Sequence, residues 1–223
     1  LFGPVLVQIY SQAEVANQTT ILTVEDHLYA LENNEAILSS CGRSIIMSQV
    51  EIVDEQGEPC APNQVGEIIT KGPHLMEGYW NMREETNNTI RDGWLYTGDV
   101  GYVDEEGYMY LVDRKKDVII SGGFNVYTTA VEKVLFEHPD VVQATVIGVP
   151  DDLWGEAVKA FVVPREDTIS EKELTQHCKE KLANYEVPKS IEFLQELPVT
   201  AYGKIDKKKL REPYWSNLEK RVH

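Results

Sequence analysis

The stretch "VDRKKDVIISGG" at residues 112–123 places five charges in a row, Asp113-Arg114-Lys115-Lys116-Asp117, between two apolar segments that each read as a strand. Five consecutive charges cannot sit inside one buried sheet unless each finds a partner, so the run marks a break in the chain. The charge distribution divides at the same place. Residues 1–112 hold 4 Lys/Arg against 18 Asp/Glu, a net of −14, and residues 113–223 hold 17 against 19, a net of −2. Such asymmetry predicts two structural units.

The first unit is expected to be mainly β. "SIIMSQVEIVD", "VGEIITKG" and "WLYTGDVGYVDEEGYMYLV" alternate or run apolar, with turn residues at Glu55-Gln56-Gly57 and Asp104-Glu105-Glu106-Gly107, and the last pair of strands reads as a hairpin. The second unit mixes elements. Val131, Val134, Leu135 and His138 share one face of a short helix ended by Pro139, "VVQATVIGV" and "AVKAFVVP" read as strands, and "SIEFLQEL" as another. Ser170-x-x-Glu173 is a capping box that opens a helix to about Ala183. The fold class expected is α+β.

With 42% hydrophobic residues in a chain of 223, there is enough apolar mass for a core. No apolar run reaches the roughly 18 residues of a membrane helix. Cys41, Cys60 and Cys178 have neither disulfide-framework nor zinc spacing, which favours a reducing, cytoplasmic compartment. A net charge of −16 repels phosphate backbones and argues against nucleic acid as a partner. The five histidines lack metal spacing and the four tryptophans, Trp80, Trp94, Trp154 and Trp215, are scattered, so both read as structural.

Four short stretches carry candidate chemistry. In "YTGDV", Asp99 follows a glycine at a strand bend, where a carboxylate can accept from a vicinal diol or simply cap the turn. Arg114 offers a fixed planar donor for hydroxyls or phosphate, or belongs to a solvated charge cluster. Ser121-Gly122-Gly123 allows the backbone to lie against a narrow ligand, or is a plain loop. Lys204 in "LPVTAYGKIDKKKLREP" follows a tight turn and precedes a helix beginning near Asp206, whose Lys207, Lys208 and Lys209 read as a wet face.

In their order, "YSQAEV", "VGEIITKGPHLMEGYW", "GWLYTGDVGYVDEEGYMYLVDRKKDVIISGGFNVY", "HPDVVQATVIGVPDDLWGEAVKAFVV", "LANYEVPKSIEF" and "LPVTAYGKIDKKKL" resemble the carboxyl-terminal part of the adenylate-forming enzymes, most closely the acyl-CoA synthetases. The resemblance runs from Tyr10 to about Leu210. The family's phosphate loop, which precedes its Tyr-x-x-Thr-Glu motif, is absent, and the chain is expected to be a fragment. It implies a β-rich end of a large nucleotide- and acid-binding domain at residues 1–112, a hinge at residues 113–117, and a small mobile α+β lid domain at residues 118–223. The reaction implied has two steps: a carboxylate and ATP give an acyl adenylate and pyrophosphate, then CoA displaces AMP to give a thioester.

By resemblance, Tyr10 packs on adenine, Glu14 holds Mg²⁺, Asp99 binds the ribose hydroxyls with help from Arg114, and Lys204 bridges carboxylate and α-phosphate oxygens. Lys116 falls at the hinge, and Ser121, Gly122 and Gly123 line the channel for the pantetheine arm of CoA. The charges of residues 113–117 are then expected to stay wet and unpacked so that backbone torsions can change there. Two departures stand out: Ala13 replaces the Thr of Tyr-x-x-Thr-Glu, and Thr128 and Ala130 replace a Pro and a Glu, the latter pair at a helix start. The partners implied are a small-molecule carboxylic acid and CoA; the acid and the oligomeric state are not legible. Competing readings are a non-catalytic relative, for which Ala13 is the best support, and an adenylation module that loads a carrier protein. Residues 1–223 alone are expected to form no adenylate.

Overall fold

The computed structural model describes residues 5–165 and 169–215. The first four residues of the opening strand-like segment, and His223, lie outside the described residues. Two compact units divide between Lys115 and Lys116.

In the first unit, Gln8–Tyr10 (β1), Thr20–Leu22 (β2) and Arg43–Ser44 (β3) form a small antiparallel sheet in that order, with Val24–Asn33 (α1) between the last two strands. The helix went unread in the sequence, although Thr23 and Asp26 close a capping box at its start. Gln49–Val53 (β4), Gly66–Lys71 (β5), Ile90–Arg91 (β6), Trp94–Val103 (β7) and Met109–Arg114 (β8) make a five-stranded antiparallel sheet. The short helix Arg83–Thr89 (α2) runs into β6. Tyr10, Ile52, Ile68 and Met109 pack as one core cluster, and Leu22, Ala30, Ile37 and Tyr108 as another. At the open edge of β1, Val5, Leu6, Val7 and Ile9 face solvent.

In the second unit, Ile119–Ser121 (β9), Phe124–Val126 (β10), Val141–Asp151 (β11), Gly155–Pro164 (β12) and Ser190–Phe193 (β13) form one sheet, in which β13 runs parallel to β12 and the other pairs are antiparallel. Thr128–Phe136 (α3) and Glu171–Lys179 (α4) bury Val131, Leu135, Leu174 and Cys178 against Val146, Ala160 and Val162. Lys207–Trp215 (α5) brings Leu210 to a second cluster with Ile147, Phe161 and Leu197. Alternate residues of β11 and β12 therefore enter different clusters, which explains why both strands read as nearly continuous apolar runs. The capping box of α4 forms as expected, but the helix stops at Lys179 instead of near Ala183, and residues 180–186 turn back on themselves.

Three expectations need correction. The charged run is not a uniformly wet segment: Asp113 and Arg114 finish β8, and both Asp113 and Asp117 are buried. Asp117 can be buried because Arg211 Nη2 lies 2.7 Å from it, and Lys115 is likewise held by Glu67 at 2.7 Å. Lys207 does not belong to a wet face, since it reaches Glu132 at 2.9 Å. Trp80, assigned to packing, is 88% exposed.

Candidate functional site

The first unit builds its candidate site from an interruption of its central strand. Glu67 pairs with Val100 and Ile69 with Tyr96, so Thr97, Gly98 and Asp99 bulge away from β5. Gly98 supplies the left-handed φ of 69° that the bulge needs. The bulge is pinned from below: the Thr97 hydroxyl donates to the Ile68 carbonyl at 2.6 Å and accepts from the Asp99 N–H at 3.1 Å, while the Gly98 N–H donates to Glu67 at 3.2 Å. On the other side, Asp99 stands opposite Arg114 in the β7–β8 register.

Asp99 is 2% exposed and collects three side chains. Its Oδ2 accepts from the Tyr10 hydroxyl at 2.6 Å and from Gln12 Nε2 at 2.7 Å. Its Oδ1 lies 2.8 Å from Arg114 Nε but receives no directed hydrogen bond from the described residues, so the ion pair supplies charge and leaves lone-pair capacity on a buried oxygen. Burial, and then the Asp99 carboxylate beside it, push the Tyr10 phenol up, so Tyr10 stays a donor at any physiological pH. An anchored carboxylate with one oxygen still able to accept is suited to a hydroxyl-bearing ligand.

Glu14 lies on the turn after β1 but is held separately. Its Oε1 accepts from the Tyr79 hydroxyl at 2.7 Å, and the turn is stitched to residues 75–76 by a bridge from Val15 to Leu75 and by the Met76 N–H on the Glu14 carbonyl at 2.9 Å. Burial, then Glu14 itself, raise the Tyr79 phenol, which therefore remains protonated and donating. Among the described residues, no group of three or more His, Cys, Asp or Glu could hold a metal by itself. One partly held carboxylate fits Mg²⁺ of the kind that takes one or two protein carboxylates and completes its shell with water and phosphate oxygens. Ala13 is exposed and brings no hydroxyl.

In the second unit, Ser121 pairs with Phe124, so Gly122-Gly123 is a two-residue hairpin turn with φ of 60° and 83°. Both values match the turn type that suits the strand twist, which explains the glycine pair on conformational grounds. The Trp154 ring closes one side of the turn, where a Cβ on Gly122 would lie 2.4 Å from it, and the Gly122 N–H donates to the Trp154 carbonyl at 2.8 Å. Gly123 faces open space. Ser121 is buried, and its hydroxyl has no partner among the described residues. Asp151 Oδ1, accepting from Leu153 and Trp154 N–H at 2.9 Å each, shapes the loop that presents Trp154.

Lys204 is exposed on its own tight loop. The Thr200 N–H donates to the Lys204 carbonyl at 2.7 Å, and Gly203 turns at φ 76°. Its ammonium has no partner among the described residues. Among the described histidines, His138 and His177 meet, with ring centroids 5.2 Å apart and edge to face. The structure thus joins Tyr10, Asp99 and Arg114 in one cluster. Gln12, Glu67 and Tyr79 were missed: Gln12 and Tyr79 lie in loops and Glu67 on β5, and none of the three gives a signal until the strand register brings the partners together.

A family model described as "AMP-binding enzyme" matches residues 1–80, and one described as "AMP-binding enzyme C-terminal domain" matches residues 130–204. The chain belongs to the AMP-binding enzyme family. Among curated members of the family, the medium/long-chain-fatty-acid–CoA ligase FadD8 of Mycobacterium tuberculosis is 41% identical over 229 residues, covering 99% of this chain and 39% of the ligase. The 2-succinylbenzoate–CoA ligase of Bacillus mycoides is 42% identical over 210 residues, 94% of this chain and 42% of its own length. Among solved AMP-binding enzymes, the o-succinylbenzoate CoA synthetase of Bacillus subtilis, in complex with its acyl-adenylate intermediate, superposes with a TM-score of 0.82 at 38% identity over 92% of this chain and 40% of that one. The same synthetase has been solved with ATP and a magnesium ion. The chain spans about two fifths of the length of these family members.

Proposed function

We propose that this chain is the carboxyl-terminal part of an ATP-dependent acyl-CoA synthetase, an acid–thiol ligase that converts a carboxylic acid and ATP to an acyl adenylate and pyrophosphate, then to a thioester with release of AMP. The observation that carries the reading is Asp99: a buried carboxylate fixed by Tyr10, Gln12 and Arg114, with Oδ1 still able to accept. In this reading the two hydroxyls of a ribose donate to Asp99, Arg114 adds a donor at the exposed rim, and Tyr10 presents its ring to the base. Glu14, steadied by Tyr79, holds the Mg²⁺, which when bound supplies positive charge to the phosphate oxygens. Lys204, whose ammonium has no partner among the described residues, is by resemblance the cation that offsets the charge building on the attacking carboxylate and the α-phosphate.

For the second step, Ser121, Gly122 and Gly123 present a surface without side-chain bulk at Gly123, past which the pantetheine thiol approaches. Lys116 is the hinge residue, flanked by Lys115 held to Glu67 and by Asp117 held to Arg211. We place the protein in the cytoplasm, in keeping with three free cysteines and with the lack of any helix long and apolar enough to cross a membrane among the described residues. The test is AMP release by the full-length protein across a panel of acids, with and without CoA. Pyrophosphate exchange without CoA-dependent turnover would point to an adenylation module, and inactivity with every acid to the non-catalytic relative that Ala13 favours.

A further inference from the structure

The helix α5 begins three residues after Lys204, and its first cation does not point to water. The Lys207 side chain is 18% exposed; its ammonium lies 2.9 Å from Glu132 Oε1 and donates to Thr128 Oγ1 at 2.8 Å. That same Glu132 oxygen accepts from the Val146 N–H at 2.8 Å and the Thr145 hydroxyl at 3.0 Å. One carboxylate on α3 therefore gathers the start of α5 and the middle of β11. Thr128, which stands where the resembling enzymes commonly have proline, contributes the second acceptor. A turn further on, Arg211 is held by Asp117, and between the two cations Leu210 is buried against Ile147 and Phe161.

The Lys204 loop is stiff within itself. Thr200 N–H bonds the Lys204 carbonyl, Gly203 N–H bonds the Thr200 carbonyl, Asp206 N–H bonds the Pro198 carbonyl, and Val199 bridges to Ile205. A stiff, exposed turn points wherever its root points. On the carboxyl-terminal side that root is the first turn of α5, and the polar anchor of that turn is Lys207. We propose that Lys207 is a positioning residue: by its bonds to Glu132 and Thr128 it fixes the direction in which the loop presents the Lys204 ammonium. The proposal rests on Lys204 being the adenylation lysine.

Two half-reactions separate this role from a general structural one, because Ser121, Gly122 and Gly123 belong to the same unit as Lys207. The full-length protein carrying Lys207→Met is compared with wild type for pyrophosphate release in single turnover, and for thioester formation from supplied acyl adenylate and CoA. Misplacing a catalytic group by about an ångström slows a step by up to about a hundredfold. Pyrophosphate release is expected to fall about ten- to a hundredfold while the thioester step stays unchanged, and Lys207→Arg is expected to restore the first step. Amide hydrogens of residues 200–206 should exchange faster in Lys207→Met. If that variant does not fold, Lys207→Gln combined with Glu132→Gln removes both charges and keeps hydrogen-bonding groups in place.

Equal losses in both half-reactions, or no loss in either, overturn the proposal. A Lys204→Ala variant identifies which idea has failed. If it cripples pyrophosphate release while Lys207→Met does not, positioning by Lys207 is wrong and the role of Lys204 stands. If Lys204→Ala is itself harmless, the role of Lys204 fails and the proposal goes with it.

Discussion

Alanine at Gly122 and alanine at Gly123 look alike on paper and should behave differently. Both residues turn through left-handed backbone, and a side chain there costs about 1–2 kcal/mol. Only Gly122 has a neighbour: a new Cβ would lie 2.4 Å from Cε3 and 2.7 Å from Cζ3 of Trp154, whereas at Gly123 nothing lies within 4 Å. The Trp154 backbone is fixed, since its carbonyl accepts the Gly122 N–H and its N–H donates to Asp151, so the ring can clear the new Cβ only by leaving its side-chain rotamer. Forcing it aside adds about 1–3 kcal/mol, so Gly122→Ala should cost about 2–5 kcal/mol in total and Gly123→Ala about 1–2. Urea unfolding of the 223-residue chain, followed by circular dichroism, measures both, and repeating the pair in a Trp154→Ala background should close the gap. Equal costs in the native background, or a gap that survives loss of the ring, would refute the argument. In the full-length protein the ranking should invert for thioester formation when the new side chain is Leu: Gly123→Leu, aimed into open space, should block the thiol's path while leaving pyrophosphate release intact.

Further outcomes are expected elsewhere in the chain. Arg211→Met leaves the Asp117 carboxylate buried without its cation and should destabilise the second unit by about 3–5 kcal/mol in the same unfolding assay. Burial alone would raise the Asp26 carboxyl, but bonds from the Thr23 N–H and hydroxyl, the Tyr108 hydroxyl and the Arg43 charge outweigh it and hold the group below the usual range. Its stabilisation should therefore be present above the unfolded aspartate value of about 3.9 and be lost as pH falls through the lowered folded value; an acid titration of Asp26→Asn should be flatter there. Burial pushes the Cys178 thiol up to about 11, so native protein at pH 8 should alkylate slowly at Cys178 and readily once unfolded, as read by mass spectrometry. Asp99→Asn should weaken AMP binding in the full-length protein by about 1.5–3 kcal/mol, measured by calorimetry, since hydrogen bonds to a charged acceptor are lost.

What could be read from the sequence followed the physics that writes itself locally. β11 and β12 show as apolar runs because both faces of each strand are covered, and the Ser170–Glu173 box shows because both partners lie within one turn. Asp99 and Arg114 could be named because each sits in a short motif, yet their meeting depends on a bulge that only the register reveals. Gln12 reaches Asp99 across 87 residues, and Tyr79 reaches Glu14 across 65. No local pattern encodes such a pairing. Lys207 misled for a related reason: in a run of three lysines, charge says water, and only the packing of α5 decides which of the three turns inward. The run at residues 113–117 misled in the same way, since buried Asp113 and Asp117 write the same letters as solvated ones.

The open edge of β1 governs how this chain behaves as a material. Among the described residues β1 is hydrogen-bonded to a strand on one side only, beside exposed Val5, Leu6, Val7 and Ile9, and in the 223-residue chain taken by itself such an edge is a template for another copy to add to. What keeps copies apart is the repulsion between bodies of charge −16, and its reach is only about 10 Å at 0.1 M salt and shorter above that. For the 223-residue chain taken by itself, turbidity is therefore expected to rise with ionic strength, as added salt screens the charge that opposes pairing along this strand.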